Sequence, residues 1–218
     1  MADGRSLRWA GHNEQRRAEL VEAAFTAIRE HGHGVGLDVI ARTAGTRKPA
    51  IYRHFGERVG LYSAVTASVS ARLERRLYRA AAEAGEDEAG LRDVLRAIID
   101  AFFSLAEKDP EVYRYVVSPP QVASAVAGQE LQGMSERAGE LVVDLLRTRV
   151  REDDLLRTRV REDRLVVWST ALVGAVQATA STWLDQNDRR SRYDVVDDVL
   201  ALLWGGIADA AVDPEDQP

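Results

Sequence analysis

Four histidines, His12, His31, His33 and His54, are the whole supply of imidazole in the chain, and there is no cysteine. Imidazole can move a proton or hold a metal, so their placement bounds the chemistry available. All four fall in the first quarter of the sequence, and the run HGHGVG (31–36) joins two of them to three glycines. That run has no acidic or histidine partner at ligand spacing, which argues against a metal. No strand precedes it and its glycines match neither common nucleotide fingerprint, so it does not read as a phosphate loop. It reads as a flexible corner between helices. Gly-x-Ser-x-Gly and paired His-Glu metal motifs are missing as well, so the expectation is a non-enzyme without metal or cofactor. A second polar set is more productive. In LDVIARTAGTRKPAIYRHFGERVGL (37–61), Ala50, Ile51 and Phe55 are spaced to pack inward, which leaves Lys48, Tyr52, Arg53 and His54 facing elsewhere.

The elements that position this set are two short helices. Apolar residues at 37, 39, 40 and 41 place one over Leu37–Thr43, and Gly45 supplies a position able to take positive φ and end it. A second resumes over Lys48–Phe55. Two short helices joined by a glycine-containing turn form the helix-turn-helix that lays its second helix in the DNA major groove. Ahead of it, from Asn13 to His31, Leu20, Val21, Ala24, Phe25 and Ile28 fall at helical spacing, so a first helix there should clamp the pair. Arg16 and Arg17 at its start are candidate phosphate contacts.

The order VIARTAG, TRKPAIYRHF, GERVGL resembles the DNA-binding signature of the tetracycline-repressor (TetR) family, with matching spacing from about Arg17 to Leu61. Two positions depart from the family pattern. Gly36 and Arg47 stand where that family usually has Ser or Thr caps, and arginine is a poor N-cap. The resemblance implies a two-fold dimer on a near-palindromic DNA operator, controlled by a small-molecule effector. It further implies that Lys48 meets a base edge or phosphate and that Pro49 and Ala50 lie against bases. Tyr52 and His54 would reach phosphates, Thr43, Thr46 and Arg47 are further candidates, and Arg58 would bind phosphate at the next helix start.

Charge distribution agrees. The net charge is −6, yet residues 1–62 carry ten Lys or Arg against seven Asp or Glu, a net of +3. The rest carries nineteen against twenty-eight, a net of −9. A mildly basic module on an acidic body suits a small DNA-binding head. No signal-peptide pattern and no uninterrupted apolar stretch of about 18 residues appears, so the expectation is a cytoplasmic protein without a membrane span.

The fold expected is all-α, about nine helices. Residues 1–13 are read as a mobile arm, 14–61 as the head, 62–212 as a ligand-binding and dimerisation domain, and 213–218 as a disordered tail. A helix over about 57–83 leads from head to body, with Arg72, Arg75, Arg76 and Arg79 on a solvated face. Another covers 91–108. The apolar segment 112–128, interrupted by Pro119-Pro120, reads as short helical pieces around a kink, and Phe102, Phe103, Tyr113 and Tyr115 are candidate ligand-lining residues. A helix over 129–149 follows. The decapeptide DLLRTRVRED occurs at 144–153 and again, identically, at 154–163. Ten residues leave the second copy rotated by roughly 80° on an α-helix, so a break is expected near Glu152–Asp154. On the last two helices, Trp168, Leu172, Ala175, Val176, Thr179, Trp183, Val199, Leu203 and Trp204 are the expected homodimer interface. The reading is a ligand-responsive regulator, most simply a repressor released by a hydrophobic or amphipathic molecule. The alternative is a ligand-independent architectural or co-regulator protein, which a fully packed body would favour over a cavity of several hundred Å³.

Overall fold

The computed structural model describes residues 4–86, 90–119, 123–152 and 162–211. Among them are nine α-helices and no strand: α1 Gly4–His31, α2 Leu37–Thr43, α3 Lys48–Phe55, α4 Arg58–Glu86, α5 Leu91–Lys108, α6 Pro110–Val117, α7 Ser124–Glu152, α8 Glu162–Leu184 and α9 Arg192–Ala211. The all-α expectation holds. Helix α1 starts at Gly4, where an arm was expected to residue 13. Residues 4–13 hold no proline, and a helix already nucleated by its apolar stripe propagates through such a segment without needing a stripe there. The break expected near Glu152–Asp154, most of the second decapeptide and the tail 213–218 lie outside the described residues.

The chain divides into two compact units, one of residues 1–71 and 109–131, the other of 72–108 and 132–218. The expected boundary at 61/62 therefore falls too early, and a stretch assigned to the body belongs with the head. The reason is packing. Tyr62 and Val65 of α4, with Val112 and Tyr115 of α6, are buried in the same core as Leu20, Phe25 and Ile28 of α1 and Ile51 of α3. Burying each such side chain is worth about 1.5–3 kcal/mol relative to exposure, which outweighs the sequence distance between the segments. Tyr62 and Tyr115 stack at a tilt with centroids 5.6 Å apart. The Tyr62 hydroxyl donates to the Val116 carbonyl at 2.9 Å, and burial pushes the Tyr115 hydroxyl up to about 12.

The start of α6 also grips the 31–36 corner. Arg29 makes a two-point pair with Asp109, Nε to Oδ1 at 2.7 Å and Nη2 to Oδ2 at 3.1 Å. Glu111 Oε2 accepts from the His33 backbone N–H at 2.8 Å and lies 2.9 Å from His33 Nδ1, while Arg114 holds Oε1 at 2.7 Å. The bond from the His33 side chain, with its backbone N–H and Arg114 in support, keeps the Glu111 carboxyl at about 2 despite partial burial.

In the second unit, α5 lies at the centre with Val94, Leu95, Ile98, Ile99 and Phe103 buried. Phe103 meets the Trp183 ring at 5.5 Å, and Trp183 Nε1 donates to the Arg190 carbonyl at 2.9 Å. Arg192 of α9 reaches back to α5, holding Asp100 at 2.8 Å and Glu107 at 3.0 Å. The pattern there is an apolar centre rimmed by ion pairs, the ordinary solution for amphipathic helices.

Candidate nucleic-acid interface

Backbone chemistry sets the two short helices. Gly36 caps α2 with extended backbone (φ −78°, ψ 153°), and Arg47 caps α3 in the same region (φ −122°, ψ 156°); neither offers a side-chain bond. Pro49 at the second position of α3 loses nothing, because an N–H there has no partner within the helix. Between the helices Gly45 takes φ 60°, and the Thr46 N–H returns to the Ala41 carbonyl at 2.9 Å. Gly56 at φ 75° ends α3 and sends its N–H to the Tyr52 carbonyl at 2.7 Å. Beyond it, α4 passes so close that a Cβ on Gly60 would sit 2.0 Å from the Phe55 carbonyl oxygen. Ile51 and Phe55 are buried, which fixes the rotation of α3 and turns Pro49, Tyr52 and Arg53 outward, with Lys48 and Ala50 half-buried beside them.

The candidate phosphate contacts divide in two. Thr43, Arg47, Pro49 and Tyr52 are exposed, and Thr46 half-buried, on one surface with the start of α3. Others are engaged inside the head. Arg17 donates to the His54 carbonyl and lies over the Phe55 ring at 4.5 Å, so it serves the C-terminal end of α3, where a cation meets unpaired carbonyls. Arg58 donates to the Val35 carbonyl at 3.2 Å, tying α4 to the corner before α2. Arg16 pairs with Glu19 at 2.7 Å, and Lys48 with Asp38 at 2.8 Å. Both pairs are exposed, and such pairs contribute about 0–1 kcal/mol, so either cation can exchange its partner for a phosphate.

His54 Nδ1 lies 2.8 Å from the Asn13 side-chain oxygen. Burial, then Arg53, Arg16 and Arg17, lowers the imidazole pKa. His54 is half-buried at the end of α3, with Asn13 of α1 beside its ring. Arg42 and Arg53 were not among the expected contacts, yet both are exposed and make no ion pair or hydrogen bond among the described residues. Their outward direction follows from Ile40, Ala41 and Ile51 pointing in, a signal present in the helical spacing.

Two sequence profiles match the chain. One, described as "Bacterial regulatory proteins, tetR family", covers residues 20–65, and the other, "Tetracyclin repressor-like, C-terminal domain", covers residues 78–218. The chain belongs to the TetR family. It is a DNA-binding transcriptional regulator and, like other TetR-family regulators, not an enzyme. An uncharacterised HTH-type transcriptional regulator of Mycobacterium tuberculosis is 29% identical over 206 residues, spanning 94% of this chain and 82% of that one. The HTH-type transcriptional activator FasR of Mycolicibacterium smegmatis is 28% identical over 199 residues, spanning 89% and 84%. Among solved structures, the regulator FadR of Bacillus subtilis in complex with stearoyl-CoA superposes with a TM-score of 0.64 at 16% identity, over 87% of this chain and 98% of that one.

In this TetR-family chain the four candidate ligand-lining aromatics do not gather in either unit. Phe103 is fully buried against Trp183, and Tyr115 against Tyr62. Tyr113 is half-buried on α6. Phe102 alone of the four lines an apolar cavity in the second unit, with Leu77, Ile98, Val142, Leu172 and Val176, of about 30 Å³. A larger space of about 790 Å³ is an open groove of mixed lining between α7 and α8, bordered by Val143, Val166 and Val173 as well as Ser135, Glu140 and Gln177.

The candidate dimer residues divide likewise. Leu172, Val176, Trp183 and Val199 are buried within the one chain, whereas Trp168, Ala175, Thr179, Leu203 and Trp204 are half-buried. The outward apolar surface instead carries Val166, Val167, Ala171, Gly174 and Ala178 of α8 and Leu202 of α9, with Val167 64% and Leu202 79% exposed. Helix α8 includes an 18-residue window with mean hydropathy 1.3, of which 28% is buried inside the chain.

Proposed function

We propose that the protein is a homodimeric, ligand-responsive repressor whose two heads enter successive major grooves of a near-palindromic operator. The observation that carries the reading is the surface formed by Thr43, Thr46, Arg47, Lys48, Pro49 and Tyr52 on rigidly packed α2 and α3, with Arg42 and Arg53 adding uncommitted charge. Pairing through α8 and α9 is supported by the exposed strip Val167, Ala171, Gly174 and Ala178, where small residues permit close approach of a second helix.

The effector is read as an apolar or amphipathic molecule that enters at the cavity beside Leu77 and Phe102. A volume of about 30 Å³ holds no such molecule, so entry has to part α4 from its neighbours. Helix α4 contributes residues 58–71 to the head unit and the remainder to the second, so its displacement reaches the DNA-binding side along one continuous helix. Effector and operator then weaken each other by the same factor. The acyl-thioester complex of FadR supports a ligand of this class. A second reading, activation, is favoured by the FasR relative, named an activator.

Fluorescence anisotropy against DNA tiled across the region upstream of the gene tests the proposal. Tight, steeply salt-dependent binding to one palindromic tile, lost in a Lys48→Ala, Tyr52→Ala double variant, is the expected result. Equal, weak binding to every tile would refute operator recognition, and a reporter fused to the bound tile separates repression from activation.

A further inference from the structure

On α4, Arg72, Arg75, Arg76 and Arg79 recur at helical spacing on one face. The sequence alone reads them as a solvated face, yet they border a groove. A space of about 470 Å³ lies between α4 and α5, walled by Arg76, Arg79, Glu83 and Asp100 over a floor of alanines from both helices. Its charges are unevenly satisfied. Asp100 is held by Arg192 at 2.8 Å, and the nearby Glu74 by Arg137 at 2.7 Å. Arg75 and Arg79 make no ion pair or hydrogen bond among the described residues, and Arg76 reaches only the neutral Ser104 hydroxyl, at 2.8 Å. Two guanidinium groups, Arg76 and Arg79, thus line the groove with Glu83 as its one acid without a cation partner among the described residues, and Arg75 lies beside Arg76 on the same helix, giving the groove a local excess of positive charge.

The groove and the apolar cavity share the same two helices. Arg76 and Leu77 are neighbours on α4, as are Ala97 and Ile98, or Ala101 and Phe102, on α5; the first of each pair lines the groove and the second the cavity. A molecule with a phosphorylated head and an apolar tail matches both sides of that seam. We propose that Arg76 and Arg79, flanked by Arg75, form a subsite for the phosphate groups of an amphipathic effector such as an acyl-CoA. This rests on the amphipathic-effector reading above. Guanidinium forks suit phosphate oxygens, and an anion lodged there favours the position of α4 in which the seam is open.

The test is isothermal titration of the full-length protein with stearoyl-CoA, stearate and CoA, in the wild type and in Arg76→Gln/Arg79→Gln and Glu83→Gln variants. The arginine variant should lose about tenfold or more in stearoyl-CoA affinity, while stearate affinity stays as it was. Glu83→Gln should tighten stearoyl-CoA, and CoA alone should bind weakly to the wild type and not to the arginine variant. Equal stearoyl-CoA affinity in wild type and arginine variant overturns the phosphate subsite while leaving an apolar effector intact. CoA binding without any binding of stearate or stearoyl-CoA keeps the anion site but sinks the amphipathic-effector reading, and with it the proposal. Competition by inorganic phosphate as strong as that by CoA assigns the groove to free phosphate and overturns the proposal. So does loss of operator affinity by the arginine variant without effector, which would make the stripe a DNA-facing patch.

Discussion

Replacing Gly60 with alanine examines how tightly α4 is seated against the end of α3. An ideal Cβ there lies 2.0 Å from the Phe55 carbonyl oxygen and 3.0 Å from its carbonyl carbon. Both are backbone atoms, so no rotamer change relieves the overlap. Alanine in a helix interior is otherwise favoured over glycine by roughly 1 kcal/mol, and an unobstructed site would gain that much. Overpacking of a well-filled site costs about 1–3 kcal/mol, and a backbone obstacle places this one at the upper end. The net expectation is a loss of about 2 kcal/mol, equivalent to a Tm lower by about 4–8 °C for a chain of this length. Because Phe55 is the last residue of α3, relief of the overlap displaces α3, and operator affinity should fall as well. Thermal unfolding followed by circular dichroism, beside anisotropy on the operator, reads both effects. Gly128→Ala in α7 is the control, since a Cβ there meets nothing within 4 Å and should be neutral or stabilising. A Gly60→Ala protein that melts no lower than the wild type and binds DNA equally well would refute the argument.

Asp38→Asn removes the partner of Lys48 at 2.8 Å and a carboxylate from the DNA-facing side; operator affinity should rise about two- to fivefold at low salt and converge with wild type at high salt. No gain at low salt would show that Lys48 takes no part in binding. Glu111 has a folded pKa below its unfolded one, so its contribution to stability is present above about 4.5 and disappears as pH falls toward about 2. Glu111→Gln should therefore be less stable than wild type at neutral pH and approach it through that window; a constant difference down to acid pH contradicts the assignment.

The sequence was most legible where backbone constraints and apolar spacing coincide. Gly45, the apolar positions 37, 39, 40 and 41, and the set Ala50, Ile51 and Phe55 locate α2 and α3 at Leu37–Thr43 and Lys48–Phe55, as expected. The amphipathic stripe of α5 similarly gives Leu91–Lys108. Direction was harder to read than position. Leu172, Val176, Trp183 and Val199 were expected at a partner's surface but are buried in their own unit. Helix α8 is apolar around most of its circumference, and no count of apolar residues says which side meets the protein's own core. The local partners of Arg17, Arg58 and Lys48 were equally hidden, because each depends on a segment brought near by folding. Likewise, nothing in the stretch 109–117 announces that Tyr115 pairs with Tyr62, more than fifty positions earlier.

That distant pairing bears on how the protein is made. The first compact unit comprises residues 1–71 and 109–131, so a ribosome must deliver α5, a segment of the other unit, before Val112 and Tyr115 reach the core holding Tyr62 and Leu61. A nascent chain that has just released the helix-turn-helix is still missing part of its own packing, and DNA recognition matures only once α6 has emerged. The same holds for grafting: a head cut after residue 71 and joined to another regulator would carry an open apolar face where α6 belongs. An exchangeable recognition module from this protein has to bring both segments.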